Sequence, residues 1–312
     1  MIEGVYTYDI PAAMTGEIRG MKLTRVTEEP ESYRDYQNAN DVSVLITRQG
    51  SANRMLAHFP NVKWLQLLNA GYELVDLELL RSRNILFTNA SSVYCSTIAE
   101  DVLAKMLILA RNYHRHFMDQ QNTRWPEEHQ LVNNNIDLEG KTLAIFGAGC
   151  IGKSIARLAQ VFGLHVIGYD PYVAVQEGFD EMLSDLSAAF QQADFLVTSL
   201  PVTEKTRGMI NEDTLALMKP GAFLINVARG EIVDEEALCN ALRAGTIRGA
   251  AIDVAKQEPL PPSSPLWQAP NLLITPHTAA FGDQMKKRMC SLIQRNALRY
   301  LANKPLENRV NL

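Results

Sequence analysis

Three side chains in the last third of the sequence are of types that handle anions and protons. Arg229 stands in Asn226-Val227-Ala228-Arg229-Gly230, Glu258 precedes Pro259, and His277 stands in Thr275-Pro276-His277-Thr278. A guanidinium offers a planar fork to a carboxylate and can polarise a neighbouring carbonyl. An imidazole can give or take the proton of a carbon-bound oxygen, and a carboxylate beside it stabilises its charged form. Singly, each has a plainer reading: a surface charge, a turn cap, a satisfied turn histidine. Jointly they describe an anion fork and a proton-transferring pair.

Each follows an apolar run of strand length, at residues 222–227, 250–254 and 272–275. Upstream, residues 141–170 read as strand, turn, helix and strand. The turn is Gly147-Ala148-Gly149-Cys150-Ile151-Gly152, followed by Ile155, Leu158, Ala159 and Phe162 at helical spacing, and the second strand ends at Asp170. Gly147 permits a tight turn, a Cβ at Gly149 would block a pyrophosphate from the N–H groups at the helix start, and Gly152 lets helix and strand pack closely. Asp170 would accept hydrogen bonds from ribose hydroxyls and repel a 2′-phosphate, which argues for NAD over NADP. Residues 147–154 also fit G-x-x-x-x-G-K-S, in which Lys153 would meet the outer phosphates of a nucleoside triphosphate and Ser154 a magnesium ion. Both patterns put phosphate at the same helix, and the turn alone does not choose between them.

The α/β rhythm continues on either side. Asp234 caps a helix with Glu235 and Glu236 in its first turn and Gly245 beyond its end. Helices are also expected at 183–190 and 212–218. Six strands with interleaved helices predict a doubly wound parallel sheet from residue 141 on, with ligands at the strand carboxyl ends. Residues 1–96 alternate similarly, with strands at 21–26, 42–47, 62–68 and 85–88 and a helical stretch at 74–83. Asn69-Ala70-Gly71-Tyr72 follows one of these strands; its amides could hold a small carboxylate or make an ordinary turn. Residues 98–118 form the longest helical stretch. Val102, Leu103, Met106, Leu107, Ile108 and Leu109 surround most of its circumference, which predicts burial, with a subunit interface favoured. His114 and His116 point to different faces, so a solvated surface is expected and no shared metal.

The 312 residues, 46% of them hydrophobic, suffice for two domains, and 30 basic against 35 acidic residues give no reason to expect nucleic acid or a membrane surface as partner. Cys95, Cys150, Cys239 and Cys290 show no C-x-x-C spacing, so free thiols in a reducing compartment are expected. The N-terminus lacks a basic segment with an apolar core, and no run reaches the length of a membrane span. These features point to a cytoplasmic enzyme.

Over residues 69–280 the chain resembles the D-isomer-specific 2-hydroxyacid dehydrogenases. The resemblance rests on Gly147 to Gly152 with Asp170, on Leu200-Pro201-Val202-Thr203 followed by Thr206, on Asn226 to Gly230, on Ala251-Ile252-Asp253-Val254 with Glu258-Pro259, and on Pro276-His277-Thr278-Ala279. It favours the dinucleotide over the triphosphate. It implies that Arg229 binds the substrate carboxylate and carbonyl, that His277 is the acid/base and that Glu258 holds and tunes it. Asp253 would contact the nicotinamide carboxamide. Cys150, Ile151, Leu200, Pro201, Thr206, Val227 and Ala228 would line the NAD site, and Asn69, Ala70 and Gly71 would bind the substrate, Ala70 and Gly71 through backbone N–H groups. One departure is Ser199, where many relatives have histidine. The resemblance further implies a Rossmann cofactor domain (98–283) inserted into a smaller flavodoxin-like α/β substrate domain (1–97 and 284–312), and a homodimer built on the helix near residue 100. The implied reaction is hydride transfer between NAD(H) and a small 2-keto or D-2-hydroxy acid. Two alternatives share the resemblance: a phosphoglycerate dehydrogenase type, in which Arg48 or Arg54 meets a phosphate, and an NADH-sensing scaffold like the C-terminal binding protein corepressors.

Overall fold

The computed structural model describes residues 1–8, 18–34, 36–127 and 134–312. The sequence from Trp125-Pro126 along the polar run to Asn135 reads as an excursion over the surface, and residues 128–133 of it lie outside the described ones. The chain divides into two units, Met1–Tyr94 with Gly282–Leu312, and Cys95–Phe281.

The first unit holds a five-stranded parallel sheet in the order β2-β1-β3-β4-β5, made of β1 (Ile2–Tyr6), β2 (Met21–Arg25), β3 (Val42–Thr47), β4 (Trp64–Leu67) and β5 (Leu86–Thr88). That order is the flavodoxin-like one. Helices α1 (Gln49–His58) and α2 (Leu77–Ser82) follow β3 and β4, and Asp76 caps α2 by accepting from Leu79 N. β3 and β4 are buried on both faces, as their near-continuous apolar sequences VSVLIT and WLQL require. The C-terminal helix, Met285–Leu301, returns to this sheet and buries Met289, Leu292, Ile293 and Ala297 against Val44, Ile46 and Trp64.

Helix α3 (Ser91–Ala110) runs from the first unit into the second. There α4 (Tyr113–Gln121) precedes a seven-stranded parallel sheet in the order β12-β11-β10-β9-β6-β7-β8. Its strands are β6 (Thr142–Phe146), β7 (His165–Tyr169), β8 (Glu181–Leu183), β9 (Phe195–Thr198), β10 (Phe223–Asn226), β11 (Gly249–Ile252) and β12 (Leu272–Ile274). α5 (Cys150–Val161), α6 (Leu186–Gln192), α7 (Glu212–Ala216) and α8 (Glu235–Ala244) connect them. The strand order reverses between β6 and β9, so the crevice that accepts ligands opens there, at the carboxyl ends of the strands. α9 is the returning helix Met285–Leu301.

Several expectations need correction. β1 and β8 add strands where none was expected, and Leu183 ends a strand instead of starting a helix. The helical stretch at 98–118 is two helices. Asn112 takes the left-handed conformation (φ 55°), which asparagine tolerates, and its side-chain amide donates to Asn134 O and Asn135 Oδ1. Apolar spacing continues on both sides and hides the break. His114 does not lie on a solvated face: it is half-buried, and burial lowers its pKa. Among the described residues no helix is long and apolar enough to cross a membrane.

Candidate active site

The first turn of α5 leaves its N–H groups without acceptors inside the helix, as every helix start does. Gly147, at φ 102°, lies so close to Ser199 that a Cβ would come within 2.9 Å of Ser199 Oγ. Ser199 donates from Oγ to Phe146 O and Gly147 O, so a small hydroxyl at the departure point braces the turn from behind. A Cβ on Gly152 would sit 2.0 Å from Gly147 O, whereas one on Gly149 would meet no protein atom within 4 Å. The turn is thus closed on its inner side and open at Gly149, a cradle that a side chain would fill and a pyrophosphate fits. Asp170 stands at the tip of β7 and accepts from Ala148 N (3.0 Å) and Tyr172 N (3.0 Å), so the acid that would meet the ribose also ties down the turn.

Cys150, the first residue of α5, is disulfide-bonded to Cys95 on α3, with Cα atoms 6.0 Å apart. This corrects the expectation of four thiols outside any disulfide, which holds for Cys239 and Cys290. The two are 55 residues apart in sequence, and only the packing of α3 against the start of α5 brings them together. Leu200, Val227 and Ala228 are buried, Ile151 is half-buried and Pro201 is exposed. Thr206 donates from Oγ1 to Pro201 O (2.7 Å) and accepts from Thr203 N (2.8 Å), so its hydroxyl shapes the loop.

At the opposite flank of the crevice, three loops carry the acid–base candidates. After β10, Asn226 donates to Arg229 O (2.9 Å) and accepts from Thr198 Oγ1 and Ala228 N, fixing the half-exposed Arg229 in extended backbone. Gly230 presses on the loop after β11: a Cβ there would stand 2.0 Å from the carbonyl carbon of Ala255. In that loop Glu258 accepts from Ala255 N through Oε1 (3.0 Å), and its Oε2 lies 2.7 Å from His277 Nδ1. An ionised carboxylate only accepts, so Nδ1 carries the hydrogen and Nε2 is left for exchange. His277 itself stands at φ 55° in the turn after β12 and donates its N–H to Asp253 O (2.8 Å).

Asp253 is 3% exposed, and its carboxylate accepts from Thr275 Oγ1 (2.5 Å), Thr278 N (3.0 Å) and Ala279 N (2.9 Å). Placed by the resemblance against the nicotinamide, it is in the structure the anchor of the His277 turn. Its neighbour Lys105 has only one mark in the sequence, a charged pair four residues apart, Asp101 and Lys105, where the apolar half of α3 begins.

Asn69, Ala70 and Gly71 belong to the first unit. Asn69 O accepts from Ala90 N (2.9 Å), and Ala70 O accepts from Asn89 Nδ2 (2.8 Å). In a trans peptide the N–H points opposite to the carbonyl, so the N–H groups of Ala70 and Gly71 are turned away from Ala90 and Asn89.

Residues 103–279 match the family model of the D-isomer specific 2-hydroxyacid dehydrogenase NAD binding domain. The chain belongs to the D-isomer-specific 2-hydroxyacid dehydrogenases. It is therefore an enzyme of nicotinamide-dependent oxidation and reduction. It is 32% identical to a D-3-phosphoglycerate dehydrogenase of Methanocaldococcus jannaschii over 88% of this chain, spanning 53%, about half, of that relative's length. A glyoxylate reductase of Korarchaeum cryptofilum is also 32% identical, over 81% of this chain and 77% of its own. An NADPH-dependent glyoxylate/hydroxypyruvate reductase of Sinorhizobium meliloti, solved with citrate, superposes with a TM-score of 0.81 at 25% identity, covering 99% of this chain and 98% of that one. Within such a family the dinucleotide reading of residues 147–154 supersedes the triphosphate one.

Proposed function

We propose that the chain reduces small 2-keto acids to D-2-hydroxy acids with NADH, reversibly. The observation that carries this reading is the Glu258–His277 pair, placed by β11 and β12 in the unit that also bears the dinucleotide turn. A nicotinamide dinucleotide bound at that turn supplies or accepts the hydride. The side chains do the rest. Arg229 holds the substrate carboxylate and polarises the carbonyl. His277 gives its Nε2 proton to the oxygen that becomes the hydroxyl, and Glu258 offsets the positive charge that the ring carries before this transfer and regains in the reverse direction. Asp170 favours NAD, because a 2′-phosphate there would face a carboxylate already fixed by Ala148 and Tyr172.

Glyoxylate and hydroxypyruvate are the leading substrates, in keeping with the relatives named for them. Phosphoglycerate chemistry is the second reading, suggested by the archaeal relative. Arg54 does not serve it, being committed to Tyr33 Oη (3.0 Å) and Glu28 O (2.6 Å), while Arg48 has Glu28 at 3.9 Å and would be the phosphate partner. The reading includes a homodimer. Apolar surface for it is offered by the half-buried Leu107 and Ile108 of α3 and by the exposed Phe117, Met118 and Trp125 on and just beyond α4.

The test is NADH oxidation against a panel of 2-keto acids and 3-phosphohydroxypyruvate, with NADPH in parallel and His277→Gln as control. Turnover on an unphosphorylated acid, abolished in the variant, supports the reading. Tight NADH binding without turnover on any acid would replace it with a dinucleotide-sensing scaffold.

A further inference from the structure

Lys105 is an unexpected residue in α3. A helix packed on most of its faces is served by leucine, yet Lys105 exposes only 4% of its side chain. Its Nζ pairs with Asp101 one turn earlier and lies 3.7 Å from Asp253 Oδ1, whose own side chain is 2% exposed. Taking the Lys105 and Asp253 charges out of water costs more than their attraction need return, so for stability alone an apolar pair of like volume serves at least as well. Burial already makes Asp101 harder to ionise, and the neighbouring Asp253 adds to that, while Lys105 opposes both.

The cluster touches something the rest of the site depends on. Asp253 receives the side chain of Thr275 and the N–H groups of Thr278 and Ala279 on its carboxylate and the N–H of His277 on its carbonyl, so one residue gathers the whole turn around the imidazole. That turn holds His277 at positive φ, a conformation that non-glycine residues keep only when their surroundings enforce it. The charged and titratable groups facing Asp253 are Lys105 and Asp101, both from α3. Among the described residues, Lys105 is the charge of opposite sign that pairs with this carboxylate.

We propose that Lys105 is a positioning residue for the reaction: a buried cation that balances Asp253, keeps its carboxylate accepting from the turn, and thereby holds His277 against Glu258. This rests on the acid–base reading of His277. Truncating Lys105 would leave the buried carboxylate of Asp253 and the half-buried one of Asp101 without a counter-charge and loosen the turn, with no effect at the dinucleotide turn after β6.

The experiment is a double-mutant cycle on the full-length protein, Lys105→Met with Asp253→Asn, with Lys105→Gln as a milder second variant. For each, kcat, KM for the keto acid and the Kd of NADH from its fluorescence are measured, with His277→Gln beside them. We expect kcat to fall at least tenfold in Lys105→Met and by less in Lys105→Gln, NADH Kd to stay within twofold, and the double variant to lose no more than Asp253→Asn alone. The proposal is overturned if kcat is unchanged in folded Lys105 variants, if NADH affinity falls in step with kcat, or if the two losses multiply. Retained turnover in His277→Gln would instead remove the acid–base reading, a separate outcome.

Discussion

Glu258 holds His277 through one carboxylate oxygen, 2.7 Å from Nδ1, and is itself held through the other by the N–H of Ala255. Neither oxygen is spare, so the carboxylate cannot turn without losing a partner. Acid–base catalysis by a positioned side chain contributes on the order of 10²–10⁴ in rate. His277→Gln should lose turnover on that scale. Glu258→Gln, which still accepts one bond but brings no charge, should lose less. Steady-state kinetics of both, with NADH affinity measured alongside, checks the order; an equal or greater loss in Glu258→Gln would assign the proton to the carboxylate.

The glycines of the turn should separate stability from binding. Gly149→Ala adds a methyl where no protein atom lies within 4 Å, so its melting temperature should stay near that of the parent while NADH affinity falls more than tenfold. Gly152→Ala drives a Cβ to 2.0 Å from Gly147 O and should destabilise the protein by about 3 kcal/mol, the upper range for overpacking. Melting curves and NADH titrations of the two variants give the comparison.

Asp170→Asn keeps an acceptor for Ala148 N and removes the negative charge. The ratio of kcat/KM for NADPH to that for NADH should therefore rise, with the turn intact. An unchanged ratio would place cofactor selection on other residues.

Thiol titration of unfolded, unreduced protein should count two thiols, from Cys239 and Cys290, and Cys95→Ser should raise the count to three. A cross-link closing a loop of this length stabilises by about 4 kcal/mol in the chain-entropy account, so reduction should lower the melting temperature. Four thiols in protein kept from reductant would refute the pairing.

Glu307 receives a hydrogen bond from Arg295, which with the charge of Arg299 holds its carboxyl below the usual carboxylate range. A depressed acid contributes stability that is present above its unfolded pKa and lost as pH falls through the folded one. The parent should thus melt above Glu307→Gln at pH 7, and the gap should close as pH drops below about 4. A gap independent of pH would mean that the contact is not electrostatic.

Much of the cofactor unit was legible in the sequence because its evidence is local. Gly147, Gly149 and Gly152 announce themselves by spacing, Asp234 and Gly245 by helix-end chemistry, and Arg229, Glu258 and His277 by standing just past apolar runs. What escaped depends on chain segments meeting. Cys95 finds Cys150 across 55 residues, and Lys105 finds Asp253 only once α3 has packed on the sheet. β8, three residues at the sheet edge, is too short for any period to register. Asn112 breaks a helix whose apolar spacing resumes at once, and only its left-handed backbone reveals the break.

The contact of Gly230 with Ala255 leaves no room for a methyl between the loop that carries Arg229 and the loop that carries Glu258. The guanidinium of Arg229 and the carboxylate of Glu258 therefore ride on a single casting, and neither mount can drift without dragging the other. Variation toward new substrates has little freedom in these two loops, whatever side chain the acid bears.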